Sequence, residues 1–306
     1  MRSDTSGSAS LLADPEVSER TEQLLQRVRW ESVVFQRDGT SLLHMAYNPD
    51  RDGAYAGDAD GDGLISAWNM TAEQLCLYLL AAGHPDIDAS LAQALYAGFD
   101  RPIGRWGGEP FVHAPGGPLF VYQFSHAWLP FQRYRDASGF DWFENSVRAI
   151  RANRAWCIDH HAQFRTLGPH LWGLTAGDGV GGYIVSGAPV EREAGCTPYC
   201  EGTVMAYGMV ASLPFLPEVA SESLLWLSSH HPGMWGPYGL ADAINLEGPR
   251  PRYITTCLGI DKGPAVVMAD NHLRSTTWDA YEQHPWIARA VQRLGWTRVA
   301  PTQPLR

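Results

Sequence analysis

Residues 67–82, AWNMTAEQLCLYLLAA, are apolar nearly all round after the first turn. This pattern predicts a helix that is buried on every side rather than a helix that lies on a surface. Such a helix needs several other elements packed around it. The chain has 306 residues and a hydrophobic content of 45%, which is enough to supply them. We therefore expect a single large domain, at residues 15–300.

The rest of the chain reads as helices joined by long loops that are rich in glycine, proline and aromatic residues. Period-two alternation is sparse, and only 33–35 and 183–185 are expected to form short strands. Residues 1–14 are polar and small, which is typical of a disordered tail. The prediction is thus an all-α fold, with further helices at 15–29, 87–99, 140–160, 202–213, 217–229, 263–275 and 285–294.

The charge and composition exclude some classes of partner. A formal net charge of -10 argues against nucleic acid and against an anionic membrane surface. Twelve Trp, twelve Tyr and ten Phe are typical of a cleft that binds sugars or other flat ligands, although a core could also use them. The N-terminus contains no apolar leader, and the five cysteines cannot all pair, so a cytoplasmic protein is expected.

The loop 58–63, DADGDG, resembles the start of a calcium-binding EF-hand loop. Asp58, Asp60 and Asp62 alternate as metal ligands would, but position twelve is Asn69 where an EF-hand has a bidentate glutamate. No helix pattern precedes the loop. We expect a solvated acidic turn capped by Ser66, with a weak calcium site as the alternative.

Two glutamates, Glu73 and Glu144, lie at predicted helix starts. Glu73 lies four residues after Asn69, so on a helix both would share one face at the polar end of an otherwise apolar element. A carboxylate at that position has two interpretations. Either the helix dipole stabilises it, or it faces a cavity and has a function there. Glu144 follows Asp141 at capping-box spacing, which alone predicts a structural role.

Loop carboxylates elsewhere are accompanied by aromatic residues. Asp178 and Asp242 lie near Trp172, Trp235 and Tyr238, a combination that suits a polyhydroxylated ligand stacked on rings. The GxGxxG match at 177–182 is not followed by a helix pattern, so we attribute it to chance. Sugar chemistry would need two carboxylates that flank a glycosidic bond.

Several segments, in this order and spacing, resemble motifs of the glycoamylase-like family, which includes bacterial endo-β-1,2-glucanases and the similar domain of cyclic β-1,2-glucan synthases. They are PLFVYQFSHAW at 118–128, DWFENSVRAIRANR at 141–154, LWGLTAGDG at 171–179, GYIVSGAP at 182–189, SLPFLPE at 212–218, WGPYGLADAIN at 235–245 and GIDKGPAVVMADN at 259–271. The resemblance implies an (α/α)6 toroid with a cleft at one end. It also implies that the first helices of the toroid are absent, so that a homodimer or a partner chain covers the open side.

The resemblance also implies roles for particular residues. Glu73, Glu144 and Asp62 would flank the scissile bond of a β-glucan, with β-1,2-glucan favoured. The acidic loop would then rim the active site rather than hold calcium. The implied sugar-binding residues are Trp68, Asn69, His126, Trp128, Trp172, Asp178, Trp235, Tyr238 and Asp242.

Three functions stay open on the sequence. The first is a glycoside hydrolase or transglycosylase acting on an oligo- or polysaccharide without a cofactor. The second is a carbohydrate-binding or partner-dependent subunit without turnover. The third is the same cavity recruited to acid-catalysed chemistry, such as a cyclisation, on a non-sugar substrate.

Overall fold

The computed structural model describes residues 15–48, 63–191 and 200–299. These residues are rich in α-helix. We number the helices α1 Pro15–Gln26, α2 Leu75–Gly83, α3 Ala89–Gly98, α4 Phe120–Trp128, α5 Trp142–Asp159, α6 Ala206–Val210, α7 Pro217–His230, α8 Gly259–Arg274, α9 Thr276–Glu282 and α10 Pro285–Arg293. The expected disordered tail at 1–14 lies outside the described residues.

Short antiparallel sheets accompany the helices, so the all-α prediction is only partly right. The strands are β1 Val34–Arg37, β2 Thr40–Tyr47, β3 Leu64–Trp68, β4 Ile103–Gly104, β5 Phe111–Val112, β6 Tyr134–Arg135, β7 Ala176–Gly179, β8 Gly182–Val185, β9 Thr203–Met205, β10 Trp235–Gly236, β11 Gly239–Leu240, β12 Ala243–Asn245, β13 Arg252–Ile254 and β14 Thr297–Arg298. Two sheets have three strands, in the orders β1-β2-β3 and β13-β12-β9. The others are strand pairs.

The first sheet begins with a two-residue hairpin. Asp38 and Gly39 connect β1 to β2, and both have positive φ, 51° and 76°. A turn of this kind follows the right-handed twist of the flanking strands, which is why Asp-Gly is frequent there. The strand predicted at 33–35 is therefore real, but it is one part of a larger sheet.

The helix predicted at 67–82 begins much later than expected. Residues 64–68 form β3, which pairs with β2, and α2 starts only at Leu75. Ile65 and Ala67 are buried, two residues apart as on one face of a strand. Ser66 therefore caps no helix. From Leu75 onward the prediction holds, because seven of the nine α2 residues are buried.

Two hydrophobic clusters form the core. One surrounds α2, α3 and α10 and includes Tyr78, Leu95 and Ile287. The other surrounds α5, α6 and α8 and includes Trp172 and Met268. Phe143, on α5, packs against both clusters. Helix α4, which the sequence reading missed, lies between them and contacts α2, α5 and α8.

The hairpin β7–β8 contains the GxGxxG match. Its strands pair directly, from Ala176↔Val185 to Gly179↔Gly182, and β8 is not followed by a helix within the described residues. A dinucleotide fingerprint needs a helix at this point, so the match is indeed accidental.

Candidate active site

Glu73 lies in the turn between β3 and α2. The Ser125 hydroxyl of α4 donates to the Glu73 carbonyl oxygen at 2.6 Å, and Ser125 Oγ in turn accepts from the Cys76 amide at 3.0 Å. These bonds tie the start of α2 to α4. Burial raises the pKa of the half-buried Glu73 carboxyl above its ordinary value.

The predicted pairing of Asn69 with Glu73 on one helical face is wrong, because both residues precede α2. Asn69 instead accepts a backbone hydrogen bond from Asp100 at 2.9 Å. The adjacent Thr71 hydroxyl donates to the Asp100 carbonyl at 3.1 Å. The connection that carries Glu73 is thus held by backbone contacts rather than by helical spacing.

Glu144 lies in the first turn of α5. Asp141 caps this helix, since its carboxylate accepts from the Glu144 amide at 2.9 Å. The carboxylate of Glu144 accepts from Arg148 Nε at 3.1 Å, and the two side chains are 44% and 34% exposed. Glu144 therefore has a partly solvated carboxylate beside a cation. Among the hydrogen bonds of the described residues, none is the capping-box bond that was predicted for this carboxylate.

One cavity borders the segments that carry both glutamates. Its lining includes Thr71 and Ala72, which precede Glu73, and Asn145, which follows Glu144. Residues of α4 separate the two segments. The segments around Glu73 and Glu144 are far apart in the sequence, but the fold brings them to the same cavity.

The structure buries the side chains of His126 and Trp172, two of the residues predicted to contact sugar. His126 is 2% exposed, its Nε2 lies 2.9 Å from Ser146 Oγ, and the rings of Phe131 and Phe215 surround it. Burial lowers the pKa of His126 to about 3, so the ring is neutral. Trp172 is fully buried and donates to Ser223 Oγ at 2.8 Å. Both side chains are core residues.

Asp242, also predicted to contact a sugar, is likewise buried. Its Oδ2 accepts from the Asp178 amide at 3.0 Å. The carboxyl group of Asp261, in the first turn of α8, lies close enough to influence its ionisation. Two buried carboxyl groups this close are costly to ionise together, so one of them holds its proton more strongly. Burial and the neighbouring Asp242 charge raise the pKa of Asp261 to about 8.

Asp261 and Gln123 are polar residues that the sequence reading missed. Both are 1% exposed, and both line a second pocket on the α8 side of α4. The segment containing Asp261 was recognised as a family motif, but the raised pKa of this carboxyl depends on its burial beside Asp242, which belongs to another motif.

The exposed aromatic residues are the predicted sugar contacts that remain accessible. Trp235 and Tyr238 lie on the hairpin β10–β11 and are 55% and 81% exposed. Trp128 is half-buried, with its ring near those of Phe124 and Tyr281. Asp178 is also partly exposed.

Some predicted site residues lie outside the part of the chain that the structure describes. They are the calcium candidates Asp58, Asp60 and Asp62, of which Asp62 is also predicted to be catalytic, and the side chain of Trp68.

The comparisons with known proteins identify the family of this chain. A family model named Glycoamylase and described as "Putative glucoamylase" matches residues 66–285, more than two thirds of the chain. This chain belongs to the glycoamylase-like family. The predicted resemblance is therefore confirmed.

Relatives of this family member include proteins that act on β-1,2-glucans. A Parabacteroides distasonis protein named exo beta-1,2-glucooligosaccharide sophorohydrolase (non-reducing end) is 28% identical over 181 residues, which cover 58% of this chain and 24% of that protein. The solved endo-beta-1,2-glucanase of Chitinophaga pinensis is 25% identical with a TM-score of 0.76, covering 92% of this chain and 65% of that chain.

A Bacteroides caccae structure described as a "putative glucoamylase" is 24% identical with a TM-score of 0.77, covering 93% and 66% of the two chains. At that identity it shows the fold alone. The chain thus spans about a quarter of the curated relative and about two thirds of these two structures.

Two further properties of this family member concern metals and membranes. Within 15–48, 63–191 and 200–299, no group of three His, Cys, Asp or Glu side chains could hold a metal ion. Across the same ranges, no helix is both long and apolar enough to cross a membrane.

Proposed function

We propose that the chain is a glycoside hydrolase that cleaves a β-glucan, with β-1,2-linked glucan the favoured substrate, and that Glu73 and Glu144 act as the carboxyl pair. The named activities of the Parabacteroides distasonis and Chitinophaga pinensis relatives support the substrate class. The contrast between the two glutamates supports the mechanism.

The environments of the two carboxyl groups suit different roles. Glu73 is half-buried, has no cation paired with it in the described part of the chain, and retains its proton to a higher pH than an ordinary glutamate. Such a group suits the general acid that protonates the leaving oxygen. Glu144 is partly solvated and forms an ion pair with the guanidinium of Arg148, and we assign it as the base or nucleophile. Asp62 is assigned as the third carboxylate through the family resemblance.

We also infer that the helices form part of an (α/α)6 toroid. The TM-score of 0.76 with the Chitinophaga pinensis endo-beta-1,2-glucanase supports this arrangement. Exposed Trp235 and Tyr238 would then supply stacking surfaces for glucosyl rings near the cleft. A second chain that covers the open side of the toroid remains part of the proposal.

The experiment that tests the carboxyl pair is hydrolysis of linear β-1,2-glucan by the purified chain and three variants. Glu73→Gln and Glu144→Gln should each lower the rate of reducing-sugar release by roughly 10²–10⁴-fold, the usual contribution of a positioned acid or base. Glu218→Gln is the matched control, because Glu218 is an exposed glutamate in the first turn of another helix, α7.

The control variant should retain the wild-type rate. Wild-type turnover that persists in both Glu73→Gln and Glu144→Gln would contradict the assignment of the pair. Absence of turnover in a folded wild-type chain that still binds the glucan would favour a binding subunit instead.

A further inference from the structure

The turn before α2 does not have the hydrogen bonds of a regular helix at Glu73. In a regular helix the Leu77 amide would donate to the Glu73 carbonyl, but here it donates to the Gln74 carbonyl at 2.8 Å. Gln74 is the N-cap residue, yet its side chain donates to the Met70 carbonyl at 2.5 Å and caps no amide of α2. The main chain at Glu73 therefore depends on a partner from elsewhere in the fold.

Ser125 of α4 is that partner. Its side chain is buried, at 2% exposure. The hydroxyl donates to the Glu73 carbonyl at 2.6 Å and accepts from the Cys76 amide at 3.0 Å, so both bonds go to the main chain of the same turn. A serine 52 residues after Glu73 thus takes the place of a local helix cap.

The next residue of α4 makes the corresponding contact with α5. His126 Nε2 lies 2.9 Å from the hydroxyl oxygen of Ser146, which follows Glu144 by two residues. The His126 and Ser146 side chains are both 2% exposed. Two adjacent residues of α4 therefore hold the two segments that carry the glutamates.

The quantity that this arrangement controls is the separation of the two carboxyl groups. Hydrolysis of a glycosidic bond needs carboxyl groups about 5 Å or roughly 6.5–9.5 Å apart, depending on the stereochemical outcome. A misplacement of about 1 Å can lower the rate of a catalysed reaction roughly 10²-fold. Buried bonds from one helix to both segments suit the task of keeping this distance constant.

We propose that Ser125 and His126 are positioning residues that fix the separation of the Glu73 and Glu144 carboxyl groups. This role rests on the proposed function of the two glutamates. Both side chains are buried, so they act through the segments that they hold, by way of the Glu73 carbonyl and the Ser146 hydroxyl, and not through contact with the substrate.

Steady-state hydrolysis of linear β-1,2-glucan by the full chain and by single-site variants tests these roles. Ser125→Ala removes the bond to the Glu73 carbonyl, and Ser146→Ala removes the contact with His126. Ser223→Ala is the matched control, since Ser223 is a helical serine on α7 that is 1% exposed and accepts a core hydrogen bond from an indole at 2.8 Å. Each of the three variants loses a buried hydrogen bond, so their thermal stabilities should fall by similar amounts.

We expect kcat to fall about tenfold or more in Ser125→Ala and in Ser146→Ala, with KM changed by less than about twofold, because only the geometry of the transition state is disturbed. Ser125→Thr keeps the hydroxyl and should restore most of the rate. Ser223→Ala should have the wild-type kcat. If Ser125→Ala does not fold, Ser125→Cys replaces it, since a thiol is similar in shape but a weak hydrogen-bond donor.

Two results would overturn the proposal. One is the wild-type kcat in both Ser125→Ala and Ser146→Ala. The other is a loss of kcat in Ser223→Ala as large as that in Ser125→Ala, which would show that the loss of stability alone lowers the rate.

Amide hydrogen exchange separates these positioning roles from the proposed hydrolysis. In Ser125→Ala the Cys76 amide loses its acceptor, so exchange at residues 73–77 should accelerate about tenfold or more while exchange in α7 stays unchanged. Turnover that is lost in Glu73→Gln but unchanged in Ser125→Ala would refute the positioning role and leave the hydrolase intact. Absence of turnover by the folded wild type would refute the hydrolase alone if exchange accelerates in Ser125→Ala, and both proposals if it does not.

Discussion

Asp261 binds a proton in the folded chain that the unfolded chain has already lost at neutral pH. Its pKa rises from 3.8 to about 8 on folding, because it is buried beside Asp242 with Asp178 nearby and only Lys262 to offset the charge. Between these values the folded state holds more protons than the unfolded state. Stability must therefore fall as pH rises toward 8, and level off above it.

We predict that the free energy of unfolding decreases between pH 6.5 and 8, by at most about 1.4 kcal/mol per pH unit for one proton. Below pH 6.5 the neutral buried His126 acts in the opposite direction, since its pKa falls from 6.5 to about 3 on folding. Urea unfolding across this range should show the slope in the wild type and in Asp86→Asn, an exposed control, but not in Asp261→Asn. An equal slope in all three would show that the pair does not share a proton.

The candidate site was only partly predictable at the level of single residues. Glu73 and Glu144 could be chosen from the motifs that contain them, and residues beside each of them line one cavity, although neither glutamate itself is part of that lining. His126 and Trp172 lie in equally strong motifs but are core residues. A residue can belong to a family motif because it packs in the core or because it takes part in the chemistry. Only the burial of its side chain distinguishes these two reasons, and burial depends on contacts that are distant in sequence.

The helix pair α2 and α10 depends on a close approach at Gly83. A Cβ at this position would lie 2.5 Å from the Trp286 carbonyl oxygen and 2.7 Å from the Trp286 Cβ. Neither atom belongs to a flexible chain end, so the helices would have to separate. Arg289 also donates to the Gly83 carbonyl at 2.7 Å, which fixes the register of the pair.

Gly83→Ala should lower the free energy of unfolding by about 1–3 kcal/mol, as overpacking in a tight core does. Gly263→Ala is the matched control, because Gly263 is also helical but a Cβ there meets nothing within 4 Å. That substitution should be neutral or stabilising by up to about 1 kcal/mol. Equal effects of the two substitutions on chemical denaturation would show that α2 and α10 do not pack so closely.

Helices with a clear hydrophobic period and a clear N-terminal cap were predictable from the sequence. The segment at 64–82 shows why other elements were not. Helix α5 has a capping Asp141 and is found within a few residues of its expected ends. Residues 64–68 are apolar enough to continue α2 backward, yet they pair with β2. Short apolar runs fit either a strand or a helix, and only the partner strand decides.

At the scale of the whole molecule, α1 contributes little to the packed core. It buries none of its residues, and Val17 and Leu24 are 59% and 64% exposed. Glu22 Oε2 lies 3.3 Å from His284 Nε2 in a partly exposed contact, a kind that adds little stability. The prediction that a second chain covers an apolar surface of this molecule therefore has a simple test.

Deleting residues 1–26 should change the free energy of unfolding of a monomeric chain by less than about 0.5 kcal/mol, as surface changes usually do. Light scattering at the same concentration gives the molecular mass of both forms. A large loss of stability, accompanied by dissociation of a dimer, would contradict this small effect and show that α1 belongs to the surface that the proposed second chain covers.

Product analysis of the purified chain with a panel of linear β-glucans that differ only in linkage tests the proposed hydrolase activity. We predict that oligosaccharides or glucose are released from β-1,2-glucan and not from the β-1,3 or β-1,4 polymers. Products from another linkage alone, or no product from any polymer with a folded chain, would contradict it.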